Sequence, residues 1–218
     1  MAKPGARRSA ARTTAESPSA RIARYDWPKI AASLDELGHA RLPGLLGAAE
    51  CRALVRLYAE THRFRSFVDM ARHRFGEGDY RYFAAPLPAT VQSLRAALYG
   101  RLAAVANAWG ERLGSVQRFP SQYRAYERLC HAGGQTRPTP LLLHYPAGGY
   151  NLLHQDLYGP LFFPLQVTVL LSDPERDFSG GELLLVEQRP RMQSRGGALA
   201  LSRGECVVFP CRERPVAG

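Results

Sequence analysis

A histidine and an aspartate two residues apart, His154 and Asp156, are the side chains of this sequence best suited to bind a metal ion. On a β-strand, residues i and i+2 point to the same face, so an imidazole nitrogen and a carboxylate oxygen would converge on one point. Two histidines and one carboxylate form the facial triad of non-haem Fe(II) oxygenases, and this pair would supply two of those ligands. A polar strand end explains the pair about as well. The preceding turn, Pro146–Gly149, favours metal binding because it places the pair at the end of a strand.

The sequence does not supply the third ligand of such a triad. Its six histidines are His39, His62, His73, His131, His144 and His154, and none follows His154. His144 and Tyr145 are neighbours, so strand alternation predicts that His144 points away from Tyr145. Cys206 and Cys211 are soft ligands that do not suit a triad of nitrogen and oxygen donors. A single C-x4-C pair is also weak evidence for zinc.

Helical patterns precede strand patterns along the chain. Within about residues 25–133, apolar spacing predicts helices near 26–37, 48–60, 89–113 and 121–131, with extended segments at 40–45 and 64–83. From about 139 to 218, six short β-rich runs are separated by turn residues: 140–145, 150–156, 162–171, 182–187, 198–201 and 205–209. We predict an α+β fold with N-terminal helices supporting an antiparallel jelly roll. A jelly roll has eight strands, so we expect the last two to be missing from this chain.

The composition is that of an ordinary globular protein. The chain has 218 residues, of which 45% are hydrophobic and 22% charged, so one domain with its own core is expected. No apolar run approaches the ~20 residues of a membrane helix, and the N-terminus lacks the apolar region of a secretory signal. Four scattered cysteines suit reduced thiols. We therefore predict a cytoplasmic protein.

The formal net charge is +10, and half of it belongs to residues 1–24, which carry six basic residues against Glu16. Residues 1–24 have little apolar mass, so we predict a disordered basic arm followed by a single domain over 25–218. A basic excess suits an anionic partner such as nucleic acid. Taken alone, the charge is better explained by the codon usage of a GC-rich genome, because nearly all the basic residues are arginine.

Longer motifs resemble the 2-oxoglutarate/Fe(II)-dependent dioxygenases with a double-stranded β-helix. The segment Tyr145–Asp156 is similar to the Y-x-P-G…H-x-D of the alkylation-repair nucleobase dioxygenases and to the corresponding segment of prolyl hydroxylases. A closer resemblance is to a bacterial oxygenase family assigned to oxidative repair of damaged DNA. The segments that carry this resemblance are 70–73, 82–83, 86–88, 134–140, 154–159, 180–182 and 187–194.

The resemblance implies a role for each matching residue. His154 and Asp156 match the first two iron ligands, Tyr145 matches the tyrosine that binds the oxo acid, and Tyr150 is a candidate for the substrate pocket. Packing explains either tyrosine as well as a functional role does. The Gly180-Gly181 pair matches a structural turn. The family's third ligand, a histidine, and its arginine for the far carboxylate of 2-oxoglutarate have no counterpart here, and Arg203, Arg212 and Arg214 are not assigned to that role.

The activity implied is oxidative demethylation of alkylated DNA bases, with Fe(II) as cofactor and 2-oxoglutarate as co-substrate. Hydroxylation of an N-methyl group gives a hemiaminal that releases formaldehyde, and the damaged base would be presented outside the stack. Three alternatives remain: a prolyl or small-molecule hydroxylase of the same superfamily, an inactive fragment or binding module that lacks iron, and a cupin-like metal isomerase. With two ligands and six strands, we expect residues 1–218 to bind Fe(II) weakly and to turn over little oxo acid.

Overall fold

The computed structural model describes residues 16–157, 159, 161–188 and 191–216. Its helices are α1 (Pro18–Arg24), α2 (Trp27–Leu37), α3 (Ala48–Leu57), α4 (Ala89–Arg112) and α5 (Tyr123–Ala132). Its strands are β1 (Ala40–Leu42), β2 (Phe64–Asp69), β3 (Gly76–Glu77), β4 (Asp79–Phe83), β5 (Leu141–His144), β6 (Tyr150–Asn151), β7 (Leu165–Val169), β8 (Leu183–Glu187), β9 (Arg195–Leu199) and β10 (Cys206–Pro210). The helical first half and the strand-rich second half agree with the predicted α+β class.

The second helix begins and ends where the sequence predicts. The Asp26 side chain accepts a hydrogen bond from the Lys29 backbone N–H, which caps α2. Gly38 ends the helix in the left-handed conformation, with φ at 73°, and donates its N–H to the Leu34 carbonyl. The ends of this helix can be predicted from the sequence because each signal involves residues only a few positions apart.

The predicted disordered arm, residues 1–24, is wrong over its last part. Residues 18–24 form α1, and Ile22 is buried in the core. The Arg21 guanidinium binds both carboxylate oxygens of Glu50 on α3, at 2.7 and 2.6 Å. The prediction failed because one apolar side chain among polar ones carries little sequence signal but can still anchor a short helix. Residues 1–15 lie outside the described residues.

The strands form four separate antiparallel sheets in the part of the chain that the structure describes. Their strand orders are β1-β10-β7, β2-β4-β5, β3-β6 and β8-β9. The glycine pair that the sequence assigned to a turn, Gly180 and Gly181, has positive φ angles and directly precedes β8. These pairings do not trace the two four-stranded sheets of a jelly roll, so the double-stranded β-helix stays a prediction.

The main core lies between the helices and one face of the β1-β10-β7 sheet. Strand alternation places Leu165 and Val169 of β7 on this face together with Cys206 and Val208 of β10. The buried residues of this core are Ile22, Ile30, Leu34, Ala40, Leu42, Leu45, Leu98, Leu102, Trp109, Leu165, Cys206 and Val208. The opposite face of the same sheet, which carries Gln166, is left for the site described below.

All four cysteines are free thiols. Cys51 and Cys206 are completely buried, and Cys130 and Cys211 are half-buried. Burial raises the pKa of the Cys51, Cys206 and Cys211 thiols, in the last case to about 11. None of the described helices is both long and apolar enough to cross a membrane.

Candidate functional site

The strand predicted over residues 150–156 is wrong in length, because β6 ends at Asn151. Its partner β3 has only two residues, so the ladder is short. One further backbone bond continues it, from the Leu152 N–H to the Phe75 carbonyl at 2.8 Å. Beyond that point His154 and Asp156 lie on irregular chain, so strand alternation does not bring them together.

His154 is nevertheless held in an orientation that suits a metal ligand. Its Nδ1 lies 2.7 Å from the Leu152 carbonyl oxygen. A carbonyl only accepts, so Nδ1 carries the proton in this hydrogen bond. In the neutral form of the ring this bond leaves Nε2 free to bind a metal, which is how a backbone carbonyl fixes the tautomer of metal-binding histidines.

The carboxylate of Asp156 faces this nitrogen and is anchored from its other side. His154 Nε2 lies 3.6 Å from Asp156 Oδ1, while Gln166 of β7 donates from Nε2 to Asp156 Oδ2 at 2.9 Å. Metal–nitrogen and metal–oxygen bonds of about 2.0–2.2 Å allow one cation to bind both Nε2 and Oδ1 at this separation. The donor set therefore fits two protein ligands of a metal centre.

Residues from both larger sheets surround Asp156. Burial raises the pKa of Tyr145, after β5, and of Tyr80 on β4, and the charge of Asp156 raises both further. The Asp156 charge also adds to the burial that raises the pKa of Cys211. The Tyr145 hydroxyl forms a hydrogen bond with the Asn151 side chain, which opposes its shift. The charge of Asp156 thus acts on Tyr145, whose role in binding the oxo acid stays a prediction.

Tyr150 and the two leucines after β6 form an exposed apolar surface next to His154. Tyr150, Leu152 and Leu153 are each at least half exposed. Tyr150 itself is 52% exposed. Its assignment to a substrate pocket stays a prediction.

His144, the last residue of β5, pairs with an acidic residue of its own sheet. Its Nδ1 lies 3.0 Å from Oδ2 of Asp79, the residue opposite it on β4. The other oxygen of Asp79 accepts a hydrogen bond from the Tyr58 hydroxyl. His144 therefore has a partner within its own sheet.

The three arginines that the sequence left unassigned are engaged elsewhere. Arg203 pairs with Asp173 at 2.7 Å, and Arg212 lies 3.3 Å from Glu213. Arg214 is nearly buried, bonds Glu187 at 2.6 Å and donates to the Asp35 carbonyl. Each guanidinium thus has an acidic partner among the described residues.

Among the described residues, no group of three or more His, Cys, Asp and Glu side chains is arranged to hold a metal. Sequence reasoning missed Gln166 and Tyr80. Gln166 is ten residues from Asp156 and Tyr80 is 76 residues away, so their proximity depends on sheet packing. The only local signal is strand alternation, which places Gln166 on the face of β7 opposite the apolar core.

Comparison with known proteins gives one family. Residues 78–218 match an oxygenase family described as catalysing oxidative methylation of damaged DNA. The chain belongs to this oxygenase family. The matched range includes His154, Asp156, Gln166 and Tyr145, whereas segment 70–77 lies just outside it.

Two curated relatives of this chain come from Mycobacterium tuberculosis, one from strain CDC 1551/Oshkosh and one from strain H37Rv. Both carry the name "uncharacterized protein", and both are 51% identical to this chain over 134 residues. That alignment covers 62% of this chain and 58% of each relative, so less than two thirds of their length is spanned. No solved structure matches the chain.

Proposed function

We propose that this oxygenase uses Fe(II) and 2-oxoglutarate to demethylate alkylated bases in DNA. The single observation that carries the proposal is the facing pair of His154 Nε2 and Asp156 Oδ1, 3.6 Å apart, inside the matched range. The fold proposed with it is the double-stranded β-helix. That fold is supported by the way both larger sheets contribute residues around Asp156.

His154 and Asp156 would hold the iron. When bound together with the oxo acid, the iron would supply the oxidising chemistry with O₂. The chain's own contribution is orientation. The Leu152 carbonyl keeps the His154 proton on Nδ1, and Gln166 occupies one oxygen of Asp156, so the other oxygen faces His154. Such outer partners fix both the direction and the basicity of metal ligands.

Tyr145 would bind the oxo acid through its hydroxyl. Because burial raises the pKa of Tyr145, the phenol keeps its proton at neutral pH and can donate it to a carboxylate oxygen. The Asn151 side chain bonds the same hydroxyl and would restrict its direction. Tyr145→Phe should therefore raise the KM for 2-oxoglutarate more than it lowers kcat.

The reaction balances as an oxidation of the methyl carbon. One oxygen atom of O₂ enters succinate as 2-oxoglutarate loses CO₂, and the other converts an N–CH₃ group to N–CH₂OH. The hemiaminal then breaks its C–N bond, returning a proton to the base nitrogen and releasing formaldehyde. The family description speaks of oxidative methylation, but O₂ and an oxo acid supply no methyl group. Removal is therefore the direction we propose.

The test is turnover of N-methylated single-stranded DNA by the full chain with Fe(II), ascorbate and 2-oxoglutarate. We expect succinate and formaldehyde in equal amounts, at the low level that two described protein ligands allow, and the loss of both in His154→Ala and Asp156→Ala. His144→Ala is the matched control, because this histidine bonds Asp79, its direct partner on the neighbouring strand. Near-full succinate production by Asp156→Ala would show that the metal assignment is wrong.

A second candidate, a DNA-binding module without iron, is favoured by the ligand count. The described residues bring two candidate ligands together, His154 and Asp156, and form no group of three. This candidate predicts binding of methylated DNA with no formaldehyde. Titration with Mn²⁺, an air-stable probe of the site, separates the two: binding that is lost in Asp156→Ala supports the oxygenase, and the absence of binding supports the module.

A further inference from the structure

We propose that the loop Ala71–Phe75 is a contact site for single-stranded DNA beside the proposed metal ligands, His154 and Asp156. The inference rests on the proposed DNA substrate and goes beyond it in two ways. It names the residues that would bind the DNA, and it specifies that the bound DNA is single-stranded. The loop lies outside the range that matches the oxygenase family. It joins β2 to β3 and reads Ala-Arg-His-Arg-Phe.

The loop is connected to the proposed metal ligand His154 through one residue, Leu152. Leu152 donates its backbone N–H to the Phe75 carbonyl at 2.8 Å. The carbonyl of Leu152 accepts the hydrogen bond from His154 Nδ1 at 2.7 Å. A DNA strand bound to the loop would therefore pass close to His154, where the chemistry is proposed.

The loop is built rigidly around a buried anchor. Met70 is completely buried, donates its N–H to the Gly78 carbonyl, and accepts hydrogen bonds from the N–H groups of His73 and Phe75 at 3.1 and 3.0 Å. Gly76 presses against β6, since an added Cβ would lie 2.2 Å from the Tyr150 carbonyl oxygen. A preorganised surface of this kind loses little entropy when a ligand binds.

Arg74 has a backbone conformation that is costly for any side chain. Its φ is 59° and its ψ is 34°, the left-handed region, which costs a residue with a Cβ on the order of 1–2 kcal/mol. Among the described residues, no carboxylate pairs with its guanidinium. An exposed cation held in a strained conformation, with no carboxylate partner among the described residues, points to an anionic ligand outside the chain.

The remaining side chains complete a nucleic-acid surface. The rings of His73 and Phe75 stack at a centroid distance of 5.3 Å, with 22° between their planes. Phe75 is 46% exposed. Arg72 is 82% exposed and lies 3.3 Å from Asp69, a weak exposed pair. Aromatic rings that stack on bases, next to cations that bind phosphates, are typical of proteins that bind single strands.

The same chemistry favours a single strand over a duplex. Stacking on Phe75 requires the face of a base, and in a duplex both faces are covered by neighbouring base pairs. A base must leave the stack before an enzyme can act on it. The proposal therefore commits to single-stranded DNA, or a locally opened strand, as the occupant of the loop.

The test measures binding by fluorescence anisotropy, using unmodified labelled single-stranded DNA and the full chain without iron. Arg74→Gly should weaken binding and reduce the slope of log K against log salt by about 0.7, the value for one phosphate contact on a single strand. Because glycine adopts a positive φ without strain, the Tm of Arg74→Gly should be unchanged or higher. A purely structural role for Arg74 would not give weaker DNA binding without lower stability.

Phe75→Leu keeps the apolar bulk but removes the aromatic face, and it should weaken binding roughly 5- to 100-fold. Phe75→Trp should keep or improve it. Two variants serve as controls. Arg52→Ala removes an exposed charge from α3 and should leave binding unchanged. Arg191→Gly relieves a similar positive φ of 61° and calibrates the effect of strain on Tm.

Wild-type binding by Arg74→Gly and Phe75→Leu would overturn the inference, and so would a preference of the wild type for duplex of the same sequence. Failure of the DNA-contact proposal can be distinguished from failure of the oxygenase proposal. Formaldehyde release that does not depend on the loop would overturn only the DNA-contact site. Loop-dependent binding without any formaldehyde would overturn only the oxygenase.

Discussion

At the scale of single residues, the site depends on hydrogen bonds that aim the ligands. His154 and Asp156 are each bonded on the side away from their partner, by the Leu152 carbonyl and by Gln166. Gln166 is itself near the Cys211 thiol, which lies 3.9 Å from its amide oxygen. The amide is thus oriented with its N–H toward the carboxylate, because only its oxygen can accept from the thiol.

Gln166→Leu should weaken Mn²⁺ binding about 10- to 100-fold, the usual effect of losing an outer partner of a metal ligand. The side chain is of similar size, so the Tm should change little. Isothermal titration with Mn²⁺ measures the affinity, and Gln166→Glu provides the comparison because it replaces the donor with a second carboxylate. Unchanged affinity in Gln166→Leu would show that Asp156 is oriented by other contacts.

A second residue-scale feature links stability to pH. Glu205 is buried, and its hydrogen bond with Arg41 is the main cause of its lowered pKa. A lowered pKa in the folded protein contributes stability above the unfolded pKa, and this stability is lost as the pH falls through the folded value. Arg41→Met should cost about 1.5–3 kcal/mol at neutral pH, and the cost should shrink in acid.

Urea unfolding at neutral and acid pH measures that difference. Arg24→Met is the control, because Arg24 pairs with Glu16 on the surface, where its side chain is 75% exposed. An exposed pair is worth less than about 1 kcal/mol. Equal losses in the two variants would mean that burial of Glu205 adds nothing to the pair.

At the scale of elements, the sequence predicted what is local and missed what depends on distant partners. The cap of α2 at Asp26 and its end at Gly38 are local signals, and both are confirmed. The strand over 150–156 was predicted too long, because its length is limited by β3, more than 70 residues earlier. The pairing of β1 with β10 had no sequence signal for the same reason.

The site shows the same division. Residue types and spacing were enough to select His154 and Asp156. Gln166 and Tyr80 could not be predicted as part of the site. Alternation along a strand shows which residues share a face, but it does not show which other element packs against that face.

The short β3-β6 pair should be sensitive to any side chain at Gly76. Gly76 has a φ of 139°, and an added Cβ would lie 2.2 Å from the Tyr150 carbonyl oxygen. Gly76→Ala should therefore lower both Tm and Mn²⁺ affinity, since β6 leads to His154. Gly114→Ala is the matched control. Its φ is 69° with nothing within 4 Å of an added Cβ, so only the left-handed strain of about 1–2 kcal/mol applies.

At the scale of the whole molecule, the N-terminal residues divide into two parts with different roles. Residues 1–15 carry four basic residues and no acidic one, whereas α1 adds Ile22 to the core and Arg21 to an ion pair with Glu50. Two truncations, one before α1 and one after it, therefore separate loss of the terminal charge from loss of the core contacts of α1.

If the charge of residues 1–15 acts on DNA, it acts on phosphates without sequence choice, and deleting these residues should reduce the salt dependence of DNA binding. Deleting residues 1–24 should lower Tm strongly, because it also removes the buried Ile22. Thermal unfolding and a salt series of anisotropy titrations measure the two effects. An unchanged salt slope after the shorter deletion would show that the terminal charge does not contact DNA.

The buried thiols have a consequence for the conditions in which a repair enzyme would work. Agents that methylate DNA also attack thiolates, and the thiolate is the reactive form of cysteine. Burial raises the pKa of Cys51, Cys206 and Cys211, so all three are protonated at neutral pH and two of them are shielded from reagents. In the folded protein these three cysteines should be labelled far more slowly by iodoacetamide than in urea, as peptide mass spectrometry would measure. The protein would then tolerate the chemical stress that produces its proposed substrate.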